Sequence, residues 1–311
     1  MGQSIGSLFP LRWRLWLGKL LFRPLGPSTF RVSWHRVIKG PCDPTEVEAM
    51  NYVAAHTTVP VPKVYAVHTE GQLIYIEMAF IRGETLESAW DNLSKGQMTA
   101  IFDDLKNHLS SLRALQPPEQ GMVSSALQNP AFDCRIGFRF FGPVSHDGFH
   151  SLTRGHLIIE DVEPFLGQEV AKTHTSSYAT HFTHADLAPR NIMVRNGRIS
   201  AIIDWGFAGW YPEYWEFTKA HYNLFFGQDL WEEYMRLVLP CYETELVAER
   251  ILWRRLPEPG TISSSWADHT VFKKGSTPSA EWLSKRAGLK SIDLWSLALA
   301  KGEYDTYDTP V

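Results

Sequence analysis

The 311-residue sequence is poor in cysteine and has no long apolar run. Its three cysteines, Cys42, Cys134 and Cys241, lie far apart and form no CxxC pair. This spacing argues against a disulfide scaffold or a cysteine-rich zinc site and favours a reducing compartment, which we take to be the cytoplasm. Because no apolar stretch approaches the roughly 18 residues that a membrane-spanning helix needs, we predict no spanning segment.

Acidic residues are missing from the start of the chain. Residues 1–42 hold seven basic residues and no acid, whereas the remainder holds 23 basic and 34 acidic residues. A basic footprint over the whole chain is therefore absent, and we predict no nucleic-acid partner. The hydrophobic content of 44% and the charged content of 21% are ordinary for globular proteins and exclude a wholly disordered or coiled-coil chain.

The basic, aromatic segment 1–26 allows three interpretations. It could be an amphipathic helix packed on the body of the protein, a helix lying on a membrane surface, or a poorly ordered extension. We favour the packed helix, because each Trp or Leu side chain would contribute about 1.5–3 kcal/mol if fully buried.

Local patterns predict several elements. Residues 28–40 alternate like strands. A helix is expected to follow and to run to about His56, with Asp43 as its N-cap, Pro44 at its first position and Glu46 at the capping-box position. The Asn-Gly pair at 196–197 between two apolar stretches predicts a tight β-hairpin. A helix is expected around 160–170, mainly helical structure from 205 to about 238, and another helix at 292–300. Helices are also expected at 84–90 and over 95–115, and Trp210, Tyr214 and Trp215 are expected in the core.

One group of polar residues carries chemistry. The order His184-x-Asp186-x4-Asn191, a strand, the Asn-Gly turn, a second strand and Asp204-Trp205-Gly206 brings two carboxylates and one amide together around a hairpin. Phosphoryl transfer needs this set, because one carboxylate takes the proton of the acceptor hydroxyl while an amide oxygen and a second carboxylate hold Mg²⁺. Taken singly, each residue has an ordinary structural explanation as a cap, a turn residue or a core histidine.

The segment from Thr183 to Phe217 resembles the aminoglycoside phosphotransferase and choline-kinase-like branch of the protein-kinase-like fold, its fungal phosphotransferase-type members above all. The resemblance extends from about Val37 to about Ala220. It implies a two-lobed α+β fold with a small β-rich lobe at 27–83, which binds nucleotide, and a larger, mainly helical lobe at 84–311.

The same resemblance implies roles for individual residues. Asp186 would be the catalytic base, Asn191 and Asp204 the Mg²⁺ ligands, and His184 a structural residue. Arg190, near the catalytic base, would either face phosphate or pair with a neighbouring acid. Nucleotide binding would fall to Lys39, Glu46 and the hinge residues Met78, Ala79 and Ile81.

The implied function is the ATP- and Mg²⁺-dependent phosphorylation of a hydroxyl on a small molecule. Two alternatives stay open: a pseudokinase that binds nucleotide without turnover, and an enzyme that uses ATP to activate a substrate for another reaction. The pseudokinase stays open because residues 26–34, where the phosphate-covering loop is expected, lack a glycine-rich signature. The sequence indicates neither the acceptor nor the oligomeric state.

Residues 121–180 would border the acceptor site. Either an acceptor wall or ordinary packing explains the polar residues of this region, which are Asp133, Arg135, His146, Asp147 and His150.

Overall fold

The structure is a computed structural model that describes residues 10–23, 25–137, 139–222 and 228–256. Its α-helices are α1 (Leu11–Leu21), α2 (Pro44–His56), α3 (Leu86–Ala89), α4 (Lys95–Arg113), α5 (His146–Thr153), α6 (Ile159–Leu166), α7 (Gln168–Thr175), α8 (Trp215–Ala220), α9 (Gln228–Val238) and α10 (Glu243–Arg255). Its strands are β1 (Thr29–Arg31), β2 (Arg36–Cys42), β3 (Val64–Glu70), β4 (Leu73–Ala79), β5 (Glu84–Thr85), β6 (Met122–Ser125), β7 (Ala131–Asp133), β8 (Arg139–Phe141), β9 (Val144–Ser145), β10 (Thr180–Thr183), β11 (Ile192–Arg195), β12 (Arg198–Ile202) and β13 (Gly209–Pro212).

The chain divides into two compact units, each built from two stretches of sequence. Unit 1 lies within Met1–Leu115 and Asp186–Ala208, and unit 2 within Gln116–Ala185 and Gly209–Val311. The lobe boundaries at 27–83 and 84–311 stay a prediction.

Unit 1 contains an antiparallel sheet in the order β1-β2-β4-β3. Ile38 of β2 and Ile76 of β4 are fully buried, as is Val53 of helix α2. Helix α2 begins directly after Asp43 with Pro44 at its first position, as predicted, because proline gives up no helical hydrogen bond there. The sheet and this helix therefore form one hydrophobic core.

A second sheet of unit 1, in the order β12-β11-β5, contains the predicted hairpin. Arg195 pairs with Arg198 across the turn, and both turn residues have left-handed backbones, with φ of 54° at Asn196 and 71° at Gly197. Asn and Gly tolerate this conformation, so the hairpin prediction is confirmed.

Helix α4 packs beside this hairpin in unit 1. It starts at a capping box in which Ser94 accepts from the backbone of Gln97 and the Gln97 side chain accepts from the backbone of Ser94. Its buried residues recur at helical spacing: Met98, Ile101, Phe102, Leu105, Leu109 and Leu112. This pattern agrees with the predicted helix over 95–115.

The N-terminal segment forms helix α1, which lies against β1 within unit 1. The expected burial of its Trp and Leu side chains is wrong, because Gly18 is the only buried residue of the helix. The inner face instead approaches the sheet at Gly18, where a Cβ would overlap the carbonyl oxygen of Arg31. It is also held by Arg14, whose guanidinium donates two hydrogen bonds to Glu77, at 2.6 and 2.8 Å.

Unit 2 holds a sheet in the order β10-β13-β6-β9 and a helical layer formed by α6, α7 and α10. Two sequence expectations are corrected here. The stretch after Asp204 is not helical throughout, since Gly209–Pro212 is a fully buried strand. The helix expected at 160–170 is two helices separated at Gly167, whose φ of 98° no regular helix accommodates.

Trp210, Tyr214 and Trp215 are buried in unit 2, as predicted. The helix expected at 292–300 lies outside the described residues. Within the described stretches of the chain, none of the helices combines the length and the apolar character that crossing a bilayer requires.

Candidate active site

The predicted catalytic base, Asp186, lies beside a short 3₁₀ turn over Pro189–Asn191 in unit 1. Its Oδ1 accepts a hydrogen bond from Arg190 at 2.9 Å, and its Oδ2 accepts one from the side-chain amide of Asn191 at 2.8 Å. The same amide nitrogen also lies 2.7 Å from the Asp186 carbonyl oxygen. The Asp186 carboxylate and the Asn191 amide are therefore held in fixed orientations.

Asn191 and Asp204 flank the open end of the β11–β12 hairpin. Their proximity follows from the strand pairing, because Ile192 pairs with Ile202 and the N–H of Ile203 donates to the Asn191 carbonyl oxygen at 2.9 Å. Asp204 adopts a left-handed backbone with φ of 66°, a conformation that is uncommon for a residue with a side chain and that is often found at functional sites.

Lys39 contacts both Glu46, its predicted partner in nucleotide binding, and Asp204 at the end of this hairpin. Its ammonium lies 2.7 Å from Glu46 Oε1 and 2.7 Å from Asp204 Oδ1. Burial opposes the charged form of Lys39, but the two carboxylates outweigh it and raise the pKa of the lysine. The lysine therefore stays protonated, and its charge offsets the cost of burying Glu46.

Glu46 takes part in this ion pair and not in a capping box. Asp43 makes no side-chain hydrogen bond to the first turn of α2, while Glu46 is buried against Lys39. The two residues are separated by only seven positions, and the strand-to-helix connection after β2 still brings their side chains together.

The hinge residues Met78, Ala79 and Ile81 lie at and just beyond the end of β4. Met78 pairs with residues of both neighbouring strands, and the N–H of Ala79 donates to the carbonyl oxygen of Lys63 at 2.9 Å. Among the described residues, no acceptor takes the N–H of Ile81. Of the three predicted positions, Ile81 is thus the one whose backbone donor is available to a ligand.

Residues 26–34, the expected phosphate-covering loop, contain strand β1 and the beginning of a turn. The N–H groups of Val32 and Ser33 both donate to the carbonyl oxygen of Arg36, at 3.0 and 3.3 Å. These two donors are therefore already used within the turn.

Comparison with known proteins adds family evidence to this geometry. A family model described as the phosphotransferase enzyme family matches residues 44–252. The chain belongs to this phosphotransferase family. A search of curated proteins by sequence gives no match.

Among solved structures, aminoglycoside phosphotransferase APH(2″)-Ib, in an ADP-bound form, is similar with a TM-score of 0.50 and 17% identity, over 94% of this chain and 99% of that one. A complex of gentamicin with APH(2″)-IIa gives a TM-score of 0.48 and 16% identity, over 94% and 96% of the two chains. The likeness to APH(2″)-Ib confirms the predicted α+β, protein-kinase-like fold.

The phosphotransferase match contains Glu46, Asp186, Asn191 and Asp204 but begins after Lys39. The assignment of Lys39 therefore depends on its position between Glu46 and Asp204.

Sequence reasoning did not single out Thr45, a buried residue of helix α2 that contacts the turn after Asp204. Its hydroxyl donates to the carbonyl oxygen of Gly206 at 2.9 Å, and it thereby ties the helix to the turn that follows Asp204. No sequence signal marks this contact, because a threonine at a helix start usually has a local capping explanation.

Glu216, on helix α8 of unit 2, was also missed. Its carboxylate accepts hydrogen bonds from the backbone N–H groups of His184 and Ala185, at 2.6 and 3.3 Å. Ala185 has a left-handed φ of 60° and immediately precedes Asp186 in the chain. The predicted structural residue His184 is fully buried beside this contact.

Three of the possible acceptor-wall residues lie in the interior of unit 2. Asp133 forms a buried ion pair with Lys219 at 2.7 Å, and Arg135 lies 3.5 Å from the buried carboxylate of Glu249. Of the two explanations left open by the sequence, packing fits Asp133 and Arg135. His150 is likewise buried and lies 3.0 Å from the hydroxyl of Tyr214.

Proposed function

We propose that this phosphotransferase is an ATP- and Mg²⁺-dependent kinase that phosphorylates a hydroxyl group of a small molecule. The observation that carries the proposal is the Lys39 ammonium held between Glu46 and Asp204, in the same unit as the Asp186–Asn191 pair. A cation for phosphate, two oxygen donors for a metal and a carboxylate base form the set that phosphoryl transfer uses.

The donor set fits Mg²⁺. This ion prefers a few oxygen ligands and retains several waters or phosphate oxygens, so a complete protein cage is not needed. Asp204 supplies a carboxylate that is 48% exposed, and the amide nitrogen of Asn191 is committed to Asp186, which leaves its oxygen to face the ion. Bound there, Mg²⁺ would neutralise charge on the phosphates.

Asp186 would act on the acceptor. The acceptor oxygen forms a bond to the γ-phosphorus, the bond from that phosphorus to the β,γ-bridging oxygen breaks, ADP leaves, and the hydroxyl proton passes to Asp186. A carboxylate oxygen carries more than one lone pair, so a hydrogen bond to it does not by itself prevent its protonation. Arg190 would position this carboxylate.

Lys39 would bind phosphate oxygens, and the N–H of Ile81 would contact adenine. Binding requires Lys39 to exchange its contact with Asp204 for phosphate while it keeps Glu46. Because the turn at residues 32–35 offers no glycine-rich loop to hold phosphate, we expect modest nucleotide affinity.

We further propose a cytoplasmic setting, which the three free cysteine thiols support.

The test is the Mg²⁺ dependence of nucleotide binding in the wild type and in Asp204→Asn. Calorimetry with a non-hydrolysable ATP analogue should show Mg²⁺-enhanced binding to the wild type and no enhancement in the variant. ATP turnover in a screen of hydroxyl compounds should fall by at least about 10²-fold in the variant. Asp103→Asn, an exposed substitution on helix α4, serves as the matched control and should behave as the wild type.

The outcomes test the metal site and the pseudokinase alternative. Near-normal turnover in Asp204→Asn would overturn the metal-site assignment. Mg²⁺-dependent binding by the wild type without ADP production from any acceptor would favour a pseudokinase.

A further inference from the structure

The N-terminal helix exposes an apolar surface that no other described residue covers. Trp13 is 59% exposed, Trp16 56% and Leu20 68%, and Leu17 and Leu21 are exposed as well. We call these five residues the N-terminal apolar face. Large side chains are costly to leave in water, so a continuous exposed group of them indicates an interaction surface.

This exposure is not a sign that the helix is detached. Arg14 and Gly18 lie on the opposite side, where Arg14 pairs with Glu77 and Gly18 approaches the backbone of Arg31. Phe22, just after the helix, lies under the guanidinium of Arg31 at 4.9 Å. The helix is therefore fixed to unit 1 in an orientation that keeps the N-terminal apolar face outward.

A basic stripe runs along one edge of this face. At about 100° per residue, Trp13, Trp16, Leu17 and Leu20 share one side of the helix. Arg12 and Lys19, seven residues apart, lie beside this side and are exposed, and the exposed Arg23 follows two residues after the helix ends. Arg12 makes an exposed ion pair with Glu70, and Lys19 lies 4.6 Å from the ring centroid of Phe30.

We propose that this surface binds the face of an anionic lipid bilayer. Trp and Leu side chains beside Lys and Arg on one fixed helix suit the boundary between headgroups and acyl chains, where indole rings are favoured. Residues 1–42 contain no acid, and the neighbouring Glu70 is already paired with Arg12, which leaves Lys19 and Arg23 to attract anionic lipid. The helix would lie along the surface without crossing it.

A second copy of the chain is the main competing occupant. A two-fold dimer through the N-terminal apolar face would place the same patch of each copy against the other and bring two basic stripes together. Like charges oppose that contact, whereas an anionic membrane attracts both parts of the surface. The charge pattern thus favours lipid over self-association.

The test uses the full-length chain and vesicle flotation. We expect binding to phosphatidylcholine vesicles that contain about 30 mol % phosphatidylserine and much weaker binding to phosphatidylcholine alone. Trp13→Ser combined with Trp16→Ser should lower the partition coefficient by at least about 10-fold. Lys19→Gln combined with Arg23→Gln should lower it by roughly 5-fold per charge and reduce its salt dependence.

The control is Leu237→Ser, which removes another highly exposed side chain, from helix α9, and should bind vesicles as the wild type does. Thermal melting of all variants checks that each is folded, so that differences in vesicle binding do not come from unfolding. Equal binding by the Trp variant and the wild type, or no binding to anionic vesicles, would overturn the proposal. A dimer detected by light scattering that the Trp substitutions abolish, without vesicle binding, would assign the face to self-association instead.

Discussion

Asp186 is held from two sides, by Arg190 and by Asn191, and both contacts come from within five residues of it. A base oriented in this way contributes to the reaction rate through the geometry of proton transfer, and it does not bind the nucleotide directly. The proposed role therefore predicts an effect on the rate that is separate from binding.

For Asp186→Ala we expect kcat to fall by about 10²–10⁴ while nucleotide affinity changes by no more than a few-fold. Steady-state kinetics and calorimetry on the same preparation measure the two effects. Asp103→Ala is the matched control. A large loss of nucleotide binding with an unchanged kcat would make Asp186 a binding residue.

The proximity of some site residues could be predicted from the sequence, and that of others could not, for a physical reason. Asp186, Asn191 and Asp204 form a local pattern around one hairpin, so their proximity follows from short-range pairing. The contacts of Lys39 with Asp204 and of Thr45 with Gly206 each join residues more than 160 positions apart. No periodicity encodes such contacts, and only the fold reveals them.

At the scale of secondary-structure elements, helix α1 shows the same limit of prediction from the sequence. Its own residues favour a helix, but the orientation of the helix depends on the contact of Arg14 with Glu77, 63 residues away in the chain. Arg14 and Gly18, with the half-buried Leu11 and Leu15, take the side that faces unit 1, so the indole rings face outward. Strand β13 was missed because a fully buried aromatic strand lacks the alternation that distinguishes a strand from a helix.

Glu77 joins helix α1 to the sheet and makes the attachment dependent on pH. It is buried and faces three cationic or titratable groups: Arg14 from α1, Arg36 from β2 and His68 from β3. Burial opposes the charge, but the hydrogen bonds from these groups outweigh it and lower the pKa of Glu77 to about 2. Its contribution to stability is thus present above the ordinary glutamate pKa of 4.5 and is lost as the pH falls toward 2.

We expect Glu77→Gln to lower the free energy of unfolding at neutral pH by on the order of 3 kcal/mol. The difference from the wild type should shrink as the pH is lowered from about 4.5 toward 2, because the wild-type carboxylate is then protonated. Urea denaturation of both proteins across this range measures the difference. A constant difference at every pH would show that the carboxylate charge is not what attaches the helix.

Across the whole molecule, charge is buried in both units. In unit 2, Lys219 and Asp133 are almost completely buried as a pair, and the Lys219 ammonium also lies 3.2 Å from the thiol of Cys134. Asp133 accepts two further hydrogen bonds, from the backbone of Arg135 and from the indole of Trp215. The carboxylate is thus the centre of a polar network inside a core that is rich in aromatic side chains.

Removing one charge of the Lys219–Asp133 pair should lower the free energy of unfolding more than removing both charges. Lys219→Met leaves the Asp133 carboxylate buried without its cation, so we expect the free energy of unfolding to fall by about 3–5 kcal/mol. Lys219→Met combined with Asp133→Asn should recover part of this loss, because Asn still accepts hydrogen bonds and carries no charge. A double-mutant cycle by urea denaturation measures the coupling between the two side chains. If the double variant is as unstable as the sum of the single ones, the two charges act independently, and the network is held by its hydrogen bonds alone.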